Sequence, residues 1–304
     1  MKVAVTGSHG LIGTALLSAL RRRGDVVIPI VRGPAGADSV SWDPTSGVLD
    51  PHALDGVDVV VHLAGAGVGD HKWSASYKEI ILTSRTDGTA TLARALAEMA
   101  TPPPVLLSGS AVGVYGIRGD EELTEDAPVG SGFLAQVCGE WEAATAPAES
   151  AGVRVVHLRT GVVLSAAGGA LKKQLAIFKL GLGARLGSGH QQLSWITRRD
   201  VVDAMVFLAS AEALSGAVNV TAPGPVTNGE FTRALAHALH RPAFLAVPQA
   251  AMRVAVGNEM TAEFLQASQR VVPARLLAAG FTFADPELDA ALVTALADRT
   301  LVPR

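Results

Sequence analysis

Short apolar runs rich in Val, Ile and Leu recur at residues 3–5, 26–31, 57–63, 105–107, 153–158 and 217–220, and none alternates cleanly with polar residues. A strand buried on one face alternates and a strand covered on both does not, so these runs predict parallel strands held between two layers. Between them the period changes. Ile12, Ala15, Leu16, Ala19 and Leu20 follow the i, i+3, i+4, i+7, i+8 spacing of one helix face, and Gly24 stands where a C-cap belongs. Strand and helix alternate, which predicts an α/β fold, a Rossmann-type doubly wound parallel sheet.

From about Ser165 the texture differs. Glycines at 168, 169, 181, 183, 187 and 189 surround one cationic amphipathic helix over about 171–180, the pattern of a loop-rich lobe. Residues 200–209 read as a helix that returns the chain to the sheet at 217–220. Thr227 and Glu230 have capping-box spacing ahead of a helix with Phe231, Ala234, Leu235, Ala238 and Leu239 on one face, and Asp285-Pro286 is expected to open the last helix. The expected organisation is a sheet domain of residues 1–164 plus about 198–220 and a smaller C-terminal α/β substrate lobe of about 165–197 and 221–300. Residues 301–304, Leu-Val-Pro-Arg, have the look of a tag remnant.

Composition narrows the class. With 49% hydrophobic and 17% charged residues and a mean hydropathy of +0.32, the chain of 304 residues carries far more apolar material than a disordered one. Lys and Arg total 25 against 28 Asp and Glu, and the one dense basic cluster, Arg21, Arg22 and Arg23, closes a predicted helix where cations suit the dipole. A nucleic-acid partner is therefore not expected. The apolar stretch before Thr6 is too short for a signal peptide, and no run approaches the roughly 18 residues of a membrane span. A single cysteine, Cys138, suits a reducing compartment, and the cytoplasm is the expected location.

The chemistry is concentrated at the first turn. Residues 3–5 run straight into Thr6-Gly7-Ser8-His9-Gly10-Leu11-Ile12-Gly13 and then into the first helix, giving G-x-x-G-x-x-G between strand and helix. Gly7 permits a tight turn, Gly10 lets backbone approach a pyrophosphate, Gly13 allows close helix packing, and the helix start offers free N–H groups to an anion. At the end of the second strand, where an acid would hold the ribose of NAD, stands Arg32. A guanidinium there suits a 2′-phosphate, so the expected cofactor is NADP(H). Trp42-Asp43 is expected near the adenine side.

The chain resembles the short-chain dehydrogenase/reductase superfamily in its extended, epimerase-like branch. The matching stretches are 6–13, 58–65, Gly88-Thr89, 110–116 and 159–164. Lys72-Trp73, Ser84-Arg85, Gly132-Phe133-Leu134, Trp141-Glu142, 187–191, 194–196 and Gly280-Phe281 are similar to an atypical subfamily of nucleotide-sugar epimerase-like proteins. Carried over residue by residue, the resemblance gives Gly7, Gly10, Leu11, Ile12 and Gly13 to the pyrophosphate loop and Leu63, Ala64 and Gly65 to the cofactor's adenosine and ribose. It implies a phosphate or cofactor contact for Arg85, and a homodimer as the family expectation.

Catalysis in that superfamily, as the resemblance implies it, uses a Ser or Thr on the substrate oxygen, a Tyr that moves its proton and a Lys four residues later that lowers the Tyr pKa. This chain has only two tyrosines, Tyr77 and Tyr115, and neither is followed by that lysine. Leu134 and Cys138 occupy the matching positions. The candidates that remain are Ser110 at the family's serine, Tyr115 as a displaced acid and His190 as a proton donor by residue type. Cys138 lacks a base at local helical spacing, and His237 and His240 lack a third ligand, so no metal is expected. Trp73 and Trp195, beside Lys72, Arg198 and Arg199, are candidates to stack on a nucleotide-linked or other anionic small-molecule substrate. The favoured reading is an NADP(H)-dependent oxidoreductase or epimerase-like enzyme, and Arg32 tilts it towards reduction. The rival is a non-catalytic NADPH-binding sensor or scaffold.

Overall fold

A computed structural model describes residues 1–299; the segment read as a tag remnant lies outside them. Eight strands form the central sheet in the order Gly216–Val220, β8 (Arg154–Thr160), β6 (Val105–Ala111), β5 (Val59–His62), β1 (Lys2–Thr6), β2 (Val26–Arg32), β3 (Val40–Asp43) and β4 (Val48–Leu49). Every pairing is parallel except β3 with β4. All six apolar runs therefore lie in one sheet. The short strands β3 and β4 were not legible as such, because neither Val-Ser-Trp-Asp nor Val-Leu makes an apolar run long enough to read as a strand.

The missing alternation has a direct cause in the packing. Val3, Val5, Val59, Val61, Val105 and Leu107 face one core, shared with Leu16, Leu17 and Leu20 of helix α1 (Leu11–Arg22) and with the helix Arg198–Ser210. Ala4, Val60 and Leu106 face a second core, under Leu92 and Leu96 of helix α2 (Ala75–Glu98). Successive side chains thus enter opposite layers and both are apolar. Each buried Leu contributes roughly 1.5–3 kcal/mol. Helix α1 ends as its sequence implies, with Arg21 and Arg22 in the last turn and Gly24 at φ +83°.

The chain beyond residue 160 is fastened by two-stranded ribbons that the periodicity did not announce. Val162–Leu164 pairs with Trp195–Thr197, Ala184–Leu186 with Leu245–Val247, Gln192–Leu193 with Val226–Thr227, and Arg270–Val271 with β7 (Glu122–Leu123). The Thr227–Glu230 capping box is present. Asp285-Pro286 does not open the last helix, which spans Leu288–Ala297 behind Glu287. Asp285 is instead buried, accepting hydrogen bonds from Thr197 Oγ1 and Thr294 Oγ1 while its N–H donates to Asp200. It ties the terminal helix to the start of the helix Arg198–Ser210. Among the described residues no helix is long and apolar enough to cross a membrane.

Trp42 also departs from expectation. It is 4% exposed in the second core, edge-on to His62 at 5.9 Å, so it cannot line an adenine site. Asp43 serves a turn, accepting from Ser46 Oγ and the Thr45 N–H. Both core contacts of this region meet at the buried His62 ring. Thr6 Oγ1 accepts from the N–H groups of Leu63 and Ala64 and so gives its own proton to His62 Nδ1 at 2.8 Å. Gly88 of α2 lies against this pair: a Cβ there would be in ordinary contact, 3.4 Å from Trp42 and 3.6 Å from His62.

Burial first, and the charge of Arg85 second, lower the His62 pKa from 6.5 to about 4. The unfolded chain takes up a proton below about 6.5 that folded His62 refuses until about 4, so stability is lost as pH falls through that window, by roughly 3 kcal/mol. Denaturant unfolding of His62→Gln should show a smaller drop between neutral pH and pH 4 than the parent, by about that amount. An unchanged drop contradicts the assignment.

Candidate functional site

The glycine loop adopts the shape its spacing implies. Gly7 has φ +64°, and a Cβ on it would stand 2.7 Å from the Leu63 carbonyl, so only glycine lets the turn press against the end of β5. A Cβ on Gly13 would lie 2.2 Å from the Gly7 oxygen. The Gly10 N–H closes the turn onto Gly7 O at 2.9 Å, and Gly10 caps α1 with no side-chain cap and no acid in the first turn. The start of α1 is thus left to backbone N–H groups, the feature an anion uses. Leu11 and Ile12 begin the helix, and Leu11 packs on Gly168 and Gly169. Leu63, Ala64 and Gly65 follow β5 beside the loop, and Arg32 is exposed at the end of β2.

The second half of the site is a buried polar network. Helix α3 (Phe133–Ala143) carries Leu134 and Cys138. Gly113, in the turn Val112–Tyr115, fits against both, since a Cβ there would lie 3.4 Å from Leu134 Cβ and 3.7 Å from Cys138 Sγ. One turn deeper, Glu142 meets Arg159 in two parallel hydrogen bonds, Nε to Oε1 and Nη2 to Oε2, each 2.9 Å. Ser110 Oγ donates to Glu142 Oε1 at 2.6 Å. Arg159 Nη1 donates to the Tyr115 hydroxyl at 3.1 Å, which donates to Asn219 Oδ1 at 2.7 Å. The Asn219 N–H donates to Glu125 Oε1 at 3.0 Å.

These contacts set the protonation states. Burial pushes the Glu142 carboxyl up, but the hydrogen bonds and charge of Arg159 and the Ser110 hydroxyl outweigh it and hold it below the usual carboxylate range. Burial raises the Tyr115 phenol despite Arg159 beside it. Burial likewise pushes the Cys138 thiol up to about 11, that of an inert buried cysteine.

The network changes several expectations. Ser110 and Tyr115 do belong to one connected cluster, yet Tyr115 is 0% exposed with its hydroxyl committed at both ends, so it is a structural strut and not a displaced acid. Trp195 is also fully buried, in a third core with Leu164, Phe231 and Leu292, its indole N–H on the Gly224 carbonyl, so it has no face for a substrate. Arg198 is bound to Asp298 in the same region. His190 is exposed in the turn between Ala184–Leu186 and Gln192–Leu193, away from the network's hydrogen bonds. Glu142, Arg159, Asn219 and Glu125 were missed. Trp141-Glu142 and Arg159 stood within recognised motifs, but nothing in the sequence said that they pair.

Trp73 is half-buried. Its indole N–H donates to Val68 O, and its ring meets Phe133 at 5.1 Å and Phe264 at 6.4 Å. Phe264 comes from a segment near the C-terminus that is tied down at two further points: Glu259 pairs with Lys78 at 2.6 Å, and Glu263 accepts the Leu134 N–H at 3.1 Å. Cavities of about 630 and 320 Å³ lie elsewhere, against the helix Gly169–Lys179 and between α1 and Arg198–Ser210, and are lined by none of the network residues.

Comparison with known proteins gives a consistent result. Residues 3–221 match the model of the NAD dependent epimerase/dehydratase family, and residues 247–295 match a domain of unknown function. An epimerase family protein of Mycobacterium bovis is 47% identical over 282 residues, 92% of this chain and 93% of that protein. The human epimerase family protein SDR39U1, solved with NADPH, is 34% identical with a TM-score of 0.90 over 98% of this chain and 100% of that one. A nucleoside-diphosphate sugar epimerase from Corynebacterium glutamicum is 38% identical with a TM-score of 0.81, over 99% of this chain and 59% of that one.

Removing one member of a buried ion pair strands the other. Glu142→Ala should therefore cost about 3–5 kcal/mol in denaturant unfolding, and Ser110→Ala, which removes a hydrogen bond to a charged group, about 1.5–3 kcal/mol. A loss below about 1 kcal/mol for Glu142→Ala contradicts a structural role for the network.

Proposed function

The chain belongs to the NAD dependent epimerase/dehydratase family, and from that premise we propose that it binds NADP(H) and moves a hydride between that cofactor and a small substrate, nucleotide-sugars among the candidates. The observation that carries this reading is the Gly7–Gly13 cradle, closed to any side chain at Gly7 and Gly13 and opening on uncapped helix N–H groups. Gly10, Leu11, Ile12 and Gly13 hold the pyrophosphate, Leu63, Ala64 and Gly65 pass the ribose, and Arg32 neutralises the 2′-phosphate. NADPH in the human relative supports the choice of cofactor, and the name of the Corynebacterium protein supports the substrate class.

The bound nicotinamide supplies or takes up the hydride. The chain's own residues orient the partner and exclude water. Residues 1–164 with about 198–220 hold the cofactor, and about 165–197 with 221–300 close over the substrate. Trp73, Phe133 and Phe264 form the apolar wall of that closure. Because the ionised Glu142 can only accept, the Ser110 proton is committed to it, and Ser110 meets a ligand as an acceptor. His190, whose imidazole takes part in no ion pair among the described residues, is the remaining proton donor by residue type. A single buried thiol suits a reducing, cytoplasmic setting.

A second reading draws on the same network. With Leu134 and Cys138 at the Tyr and Lys positions, Ser110 occupied and Tyr115 sealed, the protein is a non-catalytic NADPH-binding sensor. Sustained protein-dependent consumption of NADPH with any carbonyl compound excludes that reading. A partner bound only in the NADPH-loaded state, with no turnover, favours it.

Fluorescence titration with NADPH and NADH at equal ionic strength tests the cofactor assignment. Arg32→Ala should weaken NADPH by more than about tenfold, roughly 1.4 kcal/mol, and leave NADH nearly unchanged. Equal affinity of the parent for both cofactors contradicts the role of Arg32, and negligible affinity for both contradicts the role of the glycine loop.

A further inference from the structure

Besides Arg198, which pairs with Asp298, two guanidiniums are buried near α3, and the fold treats them differently. Arg159, 7% exposed, has Glu142 in a bidentate pair and the Tyr115 hydroxyl besides. Arg85, 9% exposed on α2, has one hydrogen bond, from Nη1 to the Ile81 carbonyl of its own helix at 3.0 Å. Among the described residues no carboxylate approaches it within 4.0 Å. Its other contacts are neutral: the Trp141 ring, whose centroid is 5.0 Å away, and the backbone of Gly65, where a Cβ would stand 3.3 Å from its Cζ. Burial accordingly lowers its pKa.

A buried cation with no counter-ion is expensive, and the usual remedy, a carboxylate, is applied to Arg159 and Arg198 but not to Arg85. The remaining N–H groups of Arg85 are not sealed. The buried polar atoms without a partner include Trp141 Nε1 but none of Arg85. The guanidinium lies beside Gly65, and its charge is felt by the Cys138 thiol of α3. The pyrophosphate and the 2′-phosphate of the cofactor are already provided for, by the start of α1 and by Arg32.

Resting on the cofactor reading above, we infer that Arg85 receives an anionic group of the substrate, a carboxylate or a phosphate, held between Gly65 and α3. The planar fork of a guanidinium takes either group through two parallel hydrogen bonds, and the Trp141 face fixes its plane. The substrate is thus an acidic small molecule whose charge lies close to the reacting carbon. A neutral substrate leaves the Arg85 charge uncompensated when the site closes.

The test is calorimetric and thermal titration of the full chain with inorganic phosphate and with malonate, against chloride at matched ionic strength, with and without saturating NADPH. In the parent saturated with NADPH, at least one of the two anions should bind saturably and raise the unfolding temperature. Arg85→Met should abolish that response while keeping NADPH affinity within about threefold, and Arg85→Lys should retain a weakened response. The inference is overturned if neither anion binds the parent, if both bind Arg85→Met equally well, or if NADPH excludes them. It is overturned in favour of a cofactor contact if Arg85→Met loses more than about tenfold in NADPH affinity. Should Arg85→Met fail to fold, Arg85→Lys and the competition between NADPH and the anions in the parent decide. Absence of NADPH binding to the parent is a separate failure, that of the cofactor reading, and the anion titrations without NADPH still report on Arg85.

Discussion

The carboxylate of Glu142 and the guanidinium of Arg159 meet face to face beneath the C-terminal ends of β6 and β8, and the reactive end of the sheet is arranged around that pair. Burying both charges costs desolvation, which parallel hydrogen bonds and further partners must offset. The offset comes from Ser110 on one side and Tyr115 with Asn219 on the other. Each partner loses its chemical freedom in the process. The Ser110 proton is given away, and the phenol of Tyr115 is locked. The residue types of a short-chain dehydrogenase site are partly present here, and their hydrogen bonds link the strands to α3.

The opposite side of the same cleft is built on a different constraint, the absence of side chains. Gly7 and Gly13 allow β1, the loop and α1 to crowd against β5 to a degree that a methyl group would prevent. Thr6 fixes the contact by bonding to Leu63, Ala64 and His62 together. The cofactor half therefore depends on backbone shape and the chemical half on buried charge.

Much of the first half was legible in the sequence because its signals are local. A strand, a glycine spacing and a helix face lie within the first two dozen residues, and Arg32 is placed by the strand that precedes it. The network was not legible because its members come from distant segments: Ser110 and Glu142 are 32 residues apart, Tyr115 and Asn219 104 apart. Trp42, Tyr115 and Trp195 were open to misreading, since a large aromatic residue beside polar neighbours has the same signature in a core as in a ligand pocket. Asp285 was read as a helix opener from its proline, whereas its carboxylate has a tertiary task. The tie of Glu259, Glu263 and Phe264 to Lys78, Leu134 and Trp73 gives the C-terminal segment a structural part in the cleft that no local pattern announced.

The glycine cradle faces a reactive end in which Ser110 and Tyr115 are bonded into the network of the Glu142–Arg159 ion pair. The most direct measurement is a crystal structure of the protein with NADPH. The expected result is the pyrophosphate on the N–H groups at the start of α1, the 2′-phosphate on Arg32, the nicotinamide towards Leu134 and Cys138, and the Glu142–Arg159 pair intact beneath it. NADPH bound away from the glycine loop, or a rearranged network that frees Tyr115 to touch the nicotinamide, contradicts it.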